Sequence, residues 1–157
     1  MKNEFISQYN HTWRVFAGIV TDFDEDSWFY QGTGSLKPAW ISLHLLQAVK
    51  FYIRDTSTII FPSGKKFDVK LKLIKDEEIP SQSDILACID EFRNKTEIWL
   101  TGLDFQAENK KFYWAGKTKL GLVIFLLRHT LYHIGELSSL LNESKNGVAE
   151  DNWVKTL

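Results

Sequence analysis

Residues 120–141 read LGLVIFLLRHTLYHIGELSSLL, and this stretch decides the fold. It is strongly apolar and contains no proline, so it predicts one long helix from near Thr118 to about Asn142. His129 and His133 lie four residues apart within it. That spacing places both imidazoles on one face of a helix, with Cβ atoms ~6 Å apart, where they can share one metal ion.

Three other segments have the apolar spacing of amphipathic helices. The first has its apolar stripe at Phe5, Tyr9, Trp13, Phe16 and Val20. The second starts at Pro38, a favourable first helical residue, and runs to about Arg54. The third follows Pro80 and begins with Ser81 and Asp84 at the spacing of a capping box. The chain of 157 residues is therefore predicted to be all-α, a single domain over residues 1–157 folded as an up-down four-helix bundle.

The connections between these helices are long and are expected to be ordered. Residues 22–37 are predicted to form a loop, and residues 104–117 a second ordered connection that contains three consecutive aromatic residues. Within residues 56–80, apolar side chains alternate with charged ones at Phe67, Val69, Leu71 and Leu73. This period of two predicts a short strand or extended segment that packs its apolar side on the bundle.

Charge and composition narrow the class of protein. The chain has 19 basic and 20 acidic residues and a net charge of -1, which gives no electrostatic reason to expect a nucleic-acid partner. The single cysteine, Cys88, excludes an internal disulfide and fits a reducing compartment. The first residues lack the apolar region of a signal peptide, and the apolar run 120–127 is too short to span a bilayer. We therefore expect a cytoplasmic protein with no membrane or nucleic-acid partner.

A third histidine, His44, lies in the predicted second helix on the same face as Gln47 and Phe51. A lone histidine on an apolar face often only satisfies a hydrogen bond in a core. The pair His129 and His133 favours a metal site instead, and an inward third histidine adds to it, because helix bundles build metal sites from facing helices. Three imidazole ligands would leave an open coordination position, which is the pattern of a catalytic rather than a structural site.

Two motifs resemble those of the DinB-like, or YfiT-like, metalloenzyme superfamily. They are PAWISLHLL at residues 38–46 and HTLYHIGEL at residues 129–137, and the closing Asn152-Trp153 is similar to the aromatic end of that family. The resemblance implies a four-helix bundle that holds a divalent zinc or nickel ion on His44, His129 and His133. It also implies an enzyme acting on a small-molecule substrate, such as a transferase with a low-molecular-weight thiol as cosubstrate or an isomerase of the maleylpyruvate type. A hydrolase would use the same geometry with water in the open metal position.

Many members of that family carry glutamine where this chain has Glu136. A carboxylate at this position could be a metal ligand, the orienting partner of a ligand or a catalytic base, or it could lie in water at the mouth of the pocket. Trp40, one turn before His44, and Tyr132 are predicted to be pocket residues, and Tyr132 is expected to pack between helices. Arg128 and His11 are expected in solvent, and Cys88 as a buried, inert residue.

Two further interpretations remain open. The same helices could form a non-catalytic stress-response or binding module whose metal is structural or vestigial. Helix residues 120–127 are apolar almost all round, which is more than one bundle core needs, and this predicts a homodimer.

Overall fold

The structure is a computed structural model that describes residues 1–30 and 36–157, so part of the predicted loop 22–37 lies outside the described residues. The described chain is all-α, with six α-helices and no β-strand in these ranges. The α-helices are α1 (Lys2–Asp22), α2 (Glu25–Trp28), α3 (Pro38–Tyr52), α4 (Gln82–Gly102), α5 (Lys119–Ser144) and α6 (Asn152–Lys155). Short 3₁₀ turns occupy Leu71–Leu73, Asp76–Glu78 and Tyr113–Ala115.

Local sequence signals set the ends of the long helices. Pro38 is the first residue of α3, where its missing N–H removes no helical hydrogen bond. Ser81 caps α4 by accepting a hydrogen bond from the Asp84 backbone N–H, while the Asp84 carboxylate accepts one from the Ser81 N–H. Thr118 caps α5 by accepting a hydrogen bond from the Gly121 N–H. The predicted boundaries of these helices are confirmed to within a few residues.

Apolar faces pack the four long helices around one core. α1 lies against α4 and α5, and α3 lies against the same two helices. The predicted stripe of α1 is buried except at its first member, Phe5, which is partly buried. The largest fully buried side chains include Trp13, Phe16, Leu43 and Phe92. This arrangement places α3 beside α5, so the two histidine-bearing helices are neighbours.

Of the two alternatives predicted for residues 67–73, the strand is wrong, but the segment does pack apolar side chains on the bundle: Phe67 is in the core, and Val69 and Leu71 lie partly buried against it. An isolated bridge joins Ile60 to Lys66, but a 3₁₀ turn begins at Leu71 and no strand lies alongside. Phe67 is fully buried as the alternation predicts, whereas Leu73 is 72% exposed. The backbone here has a side chain as its hydrogen-bond partner: the Gln47 amide donates to the carbonyls of Phe67 and Val69. These carbonyls therefore need no neighbouring strand.

α5 is long and apolar enough to cross a membrane by length and composition. It also contributes eight buried residues to the described fold, including Leu126, Ile134 and Leu137. A core helix that packs against α1 and α3 passes the same test of length and composition, so the length of α5 does not by itself indicate a membrane.

Candidate metal centre

α3 and α5 bring three histidines together, as the sequence predicts. The Nε2 atom of His133 lies 3.1 Å from Nε2 of His44 and 3.2 Å from Nε2 of His129. One ligand atom from each ring lies within 4.8 Å of the other two. In the described chain no further histidine, cysteine or carboxylate joins this group. The histidines are half-buried, between the fully packed core and solvent.

The spacing of the ring nitrogens fits a single divalent ion. Zinc binds imidazole nitrogen at ~2.0–2.1 Å. An ion at that distance from two Nε2 atoms 3.1 or 3.2 Å apart subtends roughly 100° between them, which is close to the angle in tetrahedral coordination. The ligand atoms of His44 and His129 lie within 4.8 Å of each other, and three nitrogen ligands leave a tetrahedral ion one open position. The three histidines could therefore hold one metal ion together with an exchangeable ligand.

Burial keeps two of the imidazoles uncharged, as metal ligands must be. Desolvation, followed by the nearby His133 and His44, lowers the pKa of His129 to about 4. Desolvation and then His133 also lower the pKa of His44, and they outweigh the opposing effect of Glu136. At neutral pH these rings carry a lone pair rather than a second proton, so a cation meets no charge repulsion from them.

Glu136 orients the third imidazole. Its Oε1 atom lies 2.6 Å from Nδ1 of His133, on the side of the ring away from the other histidines. A carboxylate accepts, so Nδ1 of His133 donates and its Nε2 lone pair faces His44 and His129. Of the roles that the sequence leaves open for Glu136, this geometry supports the orienting one.

On the side away from the other histidines, His129 has aromatic contacts and no hydrogen bond among the described residues. Its Nδ1 atom is buried and has no partner among the described residues. Phe125 stacks on the ring with 6.3 Å between ring centroids, and Tyr52 lies 6.4 Å away. Tyr52 is not predictable from helical spacing, because it lies ~80° around the helix from His44. Packing of the two helices against each other, rather than spacing within one, brings Tyr52 to the site.

The two predicted pocket residues have different surroundings. Trp40 stacks on His44 with 5.5 Å between ring centroids, and its Nε1 donates to the carbonyl of Leu71. Tyr132 meets the edge of the His133 ring at 5.1 Å, but it is 67% exposed. The expectation that Tyr132 packs between helices is therefore wrong, because the described residues leave most of this side chain exposed.

The remaining candidates stay outside the cluster. Arg128 is exposed and Cys88 is buried, as expected. Burial, reinforced by Glu91, raises the pKa of the Cys88 thiol to about 12, which makes it a poor nucleophile. His11 is half-buried rather than in solvent, because its Nε2 lies 3.2 Å from the carbonyl of Trp153 in the C-terminal helix.

Comparison with protein-family models, with curated proteins and with solved structures found no match to this chain. The resemblance to the DinB-like superfamily therefore stays a prediction that depends on the two histidine motifs. The all-α fold and the cluster of His44, His129 and His133 do not depend on it.

Proposed function

We propose that this chain is a divalent-metal-dependent enzyme that acts on a small molecule. His44, His129 and His133 are the ligands, and zinc or nickel is the proposed ion. The observation that carries the proposal is the convergence of three Nε2 atoms, two of them 3.1 and 3.2 Å from the third. Imidazole nitrogen is a ligand that both ions accept, and a three-nitrogen set leaves a position for substrate.

The proposed reaction is transfer to or from a low-molecular-weight thiol, with hydrolysis as the variant in which water takes the place of the thiol. A bound divalent ion would supply Lewis acidity, which favours loss of a proton from the thiol or water. Glu136 keeps the proton of His133 on Nδ1 and so presents the Nε2 lone pair. Trp40 and Phe125 fix the planes of His44 and His129 by stacking.

The proposed architecture is a DinB-like four-helix bundle made of α1, α3, α4 and α5. Each of these helices packs against two others, and the histidines come from neighbouring members.

A homodimer through the outer side of α5 belongs to the same proposal, because Ile124 leaves 40% of its surface exposed there. Sedimentation analysis of the protein and of Ile124→Lys tests the dimer: a monomeric wild-type protein at micromolar concentration would remove it.

A non-catalytic module with a structural metal is the second candidate. The cavity that the far half of α3 shares with residues 68–70 has no cluster histidine in its lining. The distance between this cavity and the histidines favours a structural ion, which would only join α3 to α5. Turnover distinguishes the two candidates, since a structural ion would bind with the same stoichiometry and support no reaction.

Metal content tests the proposal. Protein purified without a nickel column, and its His129→Ala and His11→Ala variants, would be analysed by inductively coupled plasma mass spectrometry. We expect about one zinc or nickel ion per chain in wild type and in His11→Ala, and its loss in His129→Ala. If neither the isolated protein nor protein exposed to added zinc or nickel holds an ion, the metal proposal fails and the histidines are core residues.

A further inference from the structure

A cavity of about 510 Å³ lies along the second half of α3, and none of the cluster histidines lines it. Its lining includes Gln47, one turn after His44, and continues to Arg54, just past the end of α3. Residues 68–70 and 111–112 form the opposite sides. Along the axis of α3, Gln47 therefore lies ~4.5 Å and Phe51 ~10.5 Å from His44. The volume of the cavity suits a small organic molecule.

The charge of the lining is positive although the whole chain has a net charge of -1. Four cations line the cavity, and Lys50 is the only one of them with a carboxylate near it, 3.9 Å away on Asp68, within the described residues. The second acidic lining residue, Asp55, is bound by Lys95 at 2.6 Å. Arg54, Lys70 and Lys111 have no carboxylate partner within the described ranges, so their charges are available to a ligand.

Arg54 has an unfavourable backbone conformation. The N–H of Asp55 donates to the carbonyl of Lys50 and the N–H of Arg54 donates to the carbonyl of Phe51, which is the Schellman pattern that ends a helix. Arg54 has φ 59° at the position where such helices usually carry glycine. A side chain kept at this position despite its steric cost points to a role for the guanidinium.

Aromatic rings connect the cavity to the cluster. Phe51 and Phe112 line the cavity and lie 5.1 Å apart between ring centroids. Tyr52 contacts both rings, at 5.2 and 5.0 Å, and reaches His129 at 6.4 Å. Phe51 and Phe112 therefore give the cavity an apolar side, which suits the hydrocarbon part of a ligand.

We infer that this cavity binds small molecules in which an anionic oxygen group, a carboxylate or a phosphate, is joined to an apolar chain. The inference does not depend on the proposed metal. Arg54 and Lys111 bind the anion, and Phe51 and Phe112 contact the chain. A guanidinium can pair with either oxyanion through two parallel hydrogen bonds.

Binding of two matched probes to the metal-free protein tests the inference without the metal. Hexanoate and 1-hexanol have the same chain and differ in charge, and amide NMR titrations at fixed ionic strength would give both dissociation constants. We expect hexanoate to bind at least tenfold more tightly, with the largest shifts at Arg54 and Phe112. Competition by inorganic phosphate and by acetate then shows which oxyanion the site prefers.

Arg54→Gly is the informative variant because it removes the guanidinium and relieves the backbone. We expect its melting temperature to equal or exceed that of wild type, while the preference for hexanoate falls at least fivefold and hexanol binding is unchanged. Arg54→Lys should retain most of the preference. Lys117→Gln, which removes a charge outside the cavity, should retain all of it.

Equal affinities for hexanoate and hexanol in wild type, or an unchanged preference in Arg54→Gly, would overturn the inference. Neither result bears on the metal. Conversely, absence of metal with a clear preference for hexanoate would remove the proposed enzyme and leave an anion-binding cavity. The two proposals therefore fail separately.

Discussion

The contact between Glu136 and His133 is the shortest polar contact of the cluster among the described residues, at 2.6 Å from Oε1 to Nδ1. A partner of this kind fixes the tautomer and the ring plane of a ligand, and its loss typically costs ~10–100-fold in metal affinity. We therefore expect Glu136→Ala to weaken zinc binding by about that factor in a competition titration with a chelating dye. Glu136→Gln can still accept a hydrogen bond at its amide oxygen, so the expected loss is smaller.

Glu143→Gln is the matched control, because Glu143 is exposed on the same helix outside the cluster. It should leave zinc affinity within about twofold of wild type. If Glu136→Ala binds zinc as tightly as Glu143→Gln does, Glu136 does not position His133. It would then be a solvated carboxylate at the mouth of the pocket.

The lowered pKa values of His129 and His44 predict how stability depends on pH. His129 titrates near 6.5 when unfolded and at about 4 when folded, chiefly because burial disfavours its charged form. Between these values the unfolded chain binds more protons than the folded chain, so the free energy of unfolding falls as pH falls through this window. The contribution of the neutral imidazole is fully present above about pH 6.5.

Urea unfolding of metal-free protein between pH 7 and pH 4 measures this dependence. In His129→Asn the loss of stability over that range should be smaller than in wild type, because one titrating group is gone. His11→Asn should follow the wild-type curve, since His11 lies outside the cluster. Parallel curves for His129→Asn and wild type would show that His129 is not neutralised by folding.

At the scale of the elements, the C-terminal helix α6 is attached to α1 by contacts that leave no room at Gly18. A Cβ at Gly18 would lie 2.2 Å from Oδ1 of Asn152, a side chain that is 3% exposed and bonded to Asp22. Gly18→Ala should therefore displace α6 and lower the free energy of unfolding by ~1–3 kcal/mol, although alanine is the better helix former.

Gly135 in α5 gives the opposite expectation. A Cβ there meets nothing within 4 Å, so Gly135→Ala should raise the free energy of unfolding by ~0.5–1 kcal/mol through helix propensity alone. Urea unfolding of the two variants measures the free energy of unfolding, which should fall in Gly18→Ala and rise in Gly135→Ala. A stabilising Gly18→Ala would mean that α6 is not held against α1 in solution.

Signals local to one element were predictable from the sequence, and contacts between elements were not. Pro38, the capping pair Ser81 and Asp84, and the apolar stripe of α1 act within a few residues, and the structure has those helices where they were expected. The alternation in residues 67–73 predicted a strand or an extended segment. No strand forms, because the hydrogen-bond partner of this backbone is the Gln47 side chain of a helix, which no periodicity reveals. The inward face of His44 was predictable, whereas Tyr52 beside His129 was not.

At the scale of the whole molecule, the cluster lies outside the tightly packed part of the core. Tryptophan and phenylalanine side chains of α1 and α4, such as Trp13, Phe16 and Phe92, are fully buried, while the three histidines are half-buried. Replacing a histidine therefore removes little buried apolar surface. Variants of the cluster should fold without metal, which allows binding and folding to be measured apart.

Metal binding should stabilise the molecule as a whole, because the ion would join α3 to α5. Its ligand on α3, His44, lies 85 and 89 residues before the two ligands on α5. A ligand that binds only the folded state adds ~2.7 kcal/mol at one hundred times its dissociation constant. We expect zinc to raise the melting temperature of wild type and of His11→Ala by several degrees. Chelation should reverse the rise, and zinc should leave His44→Ala and His133→Ala unchanged. An equal rise in His44→Ala would assign the stabilisation to zinc bound elsewhere, and the link between α3 and α5 would then be wrong.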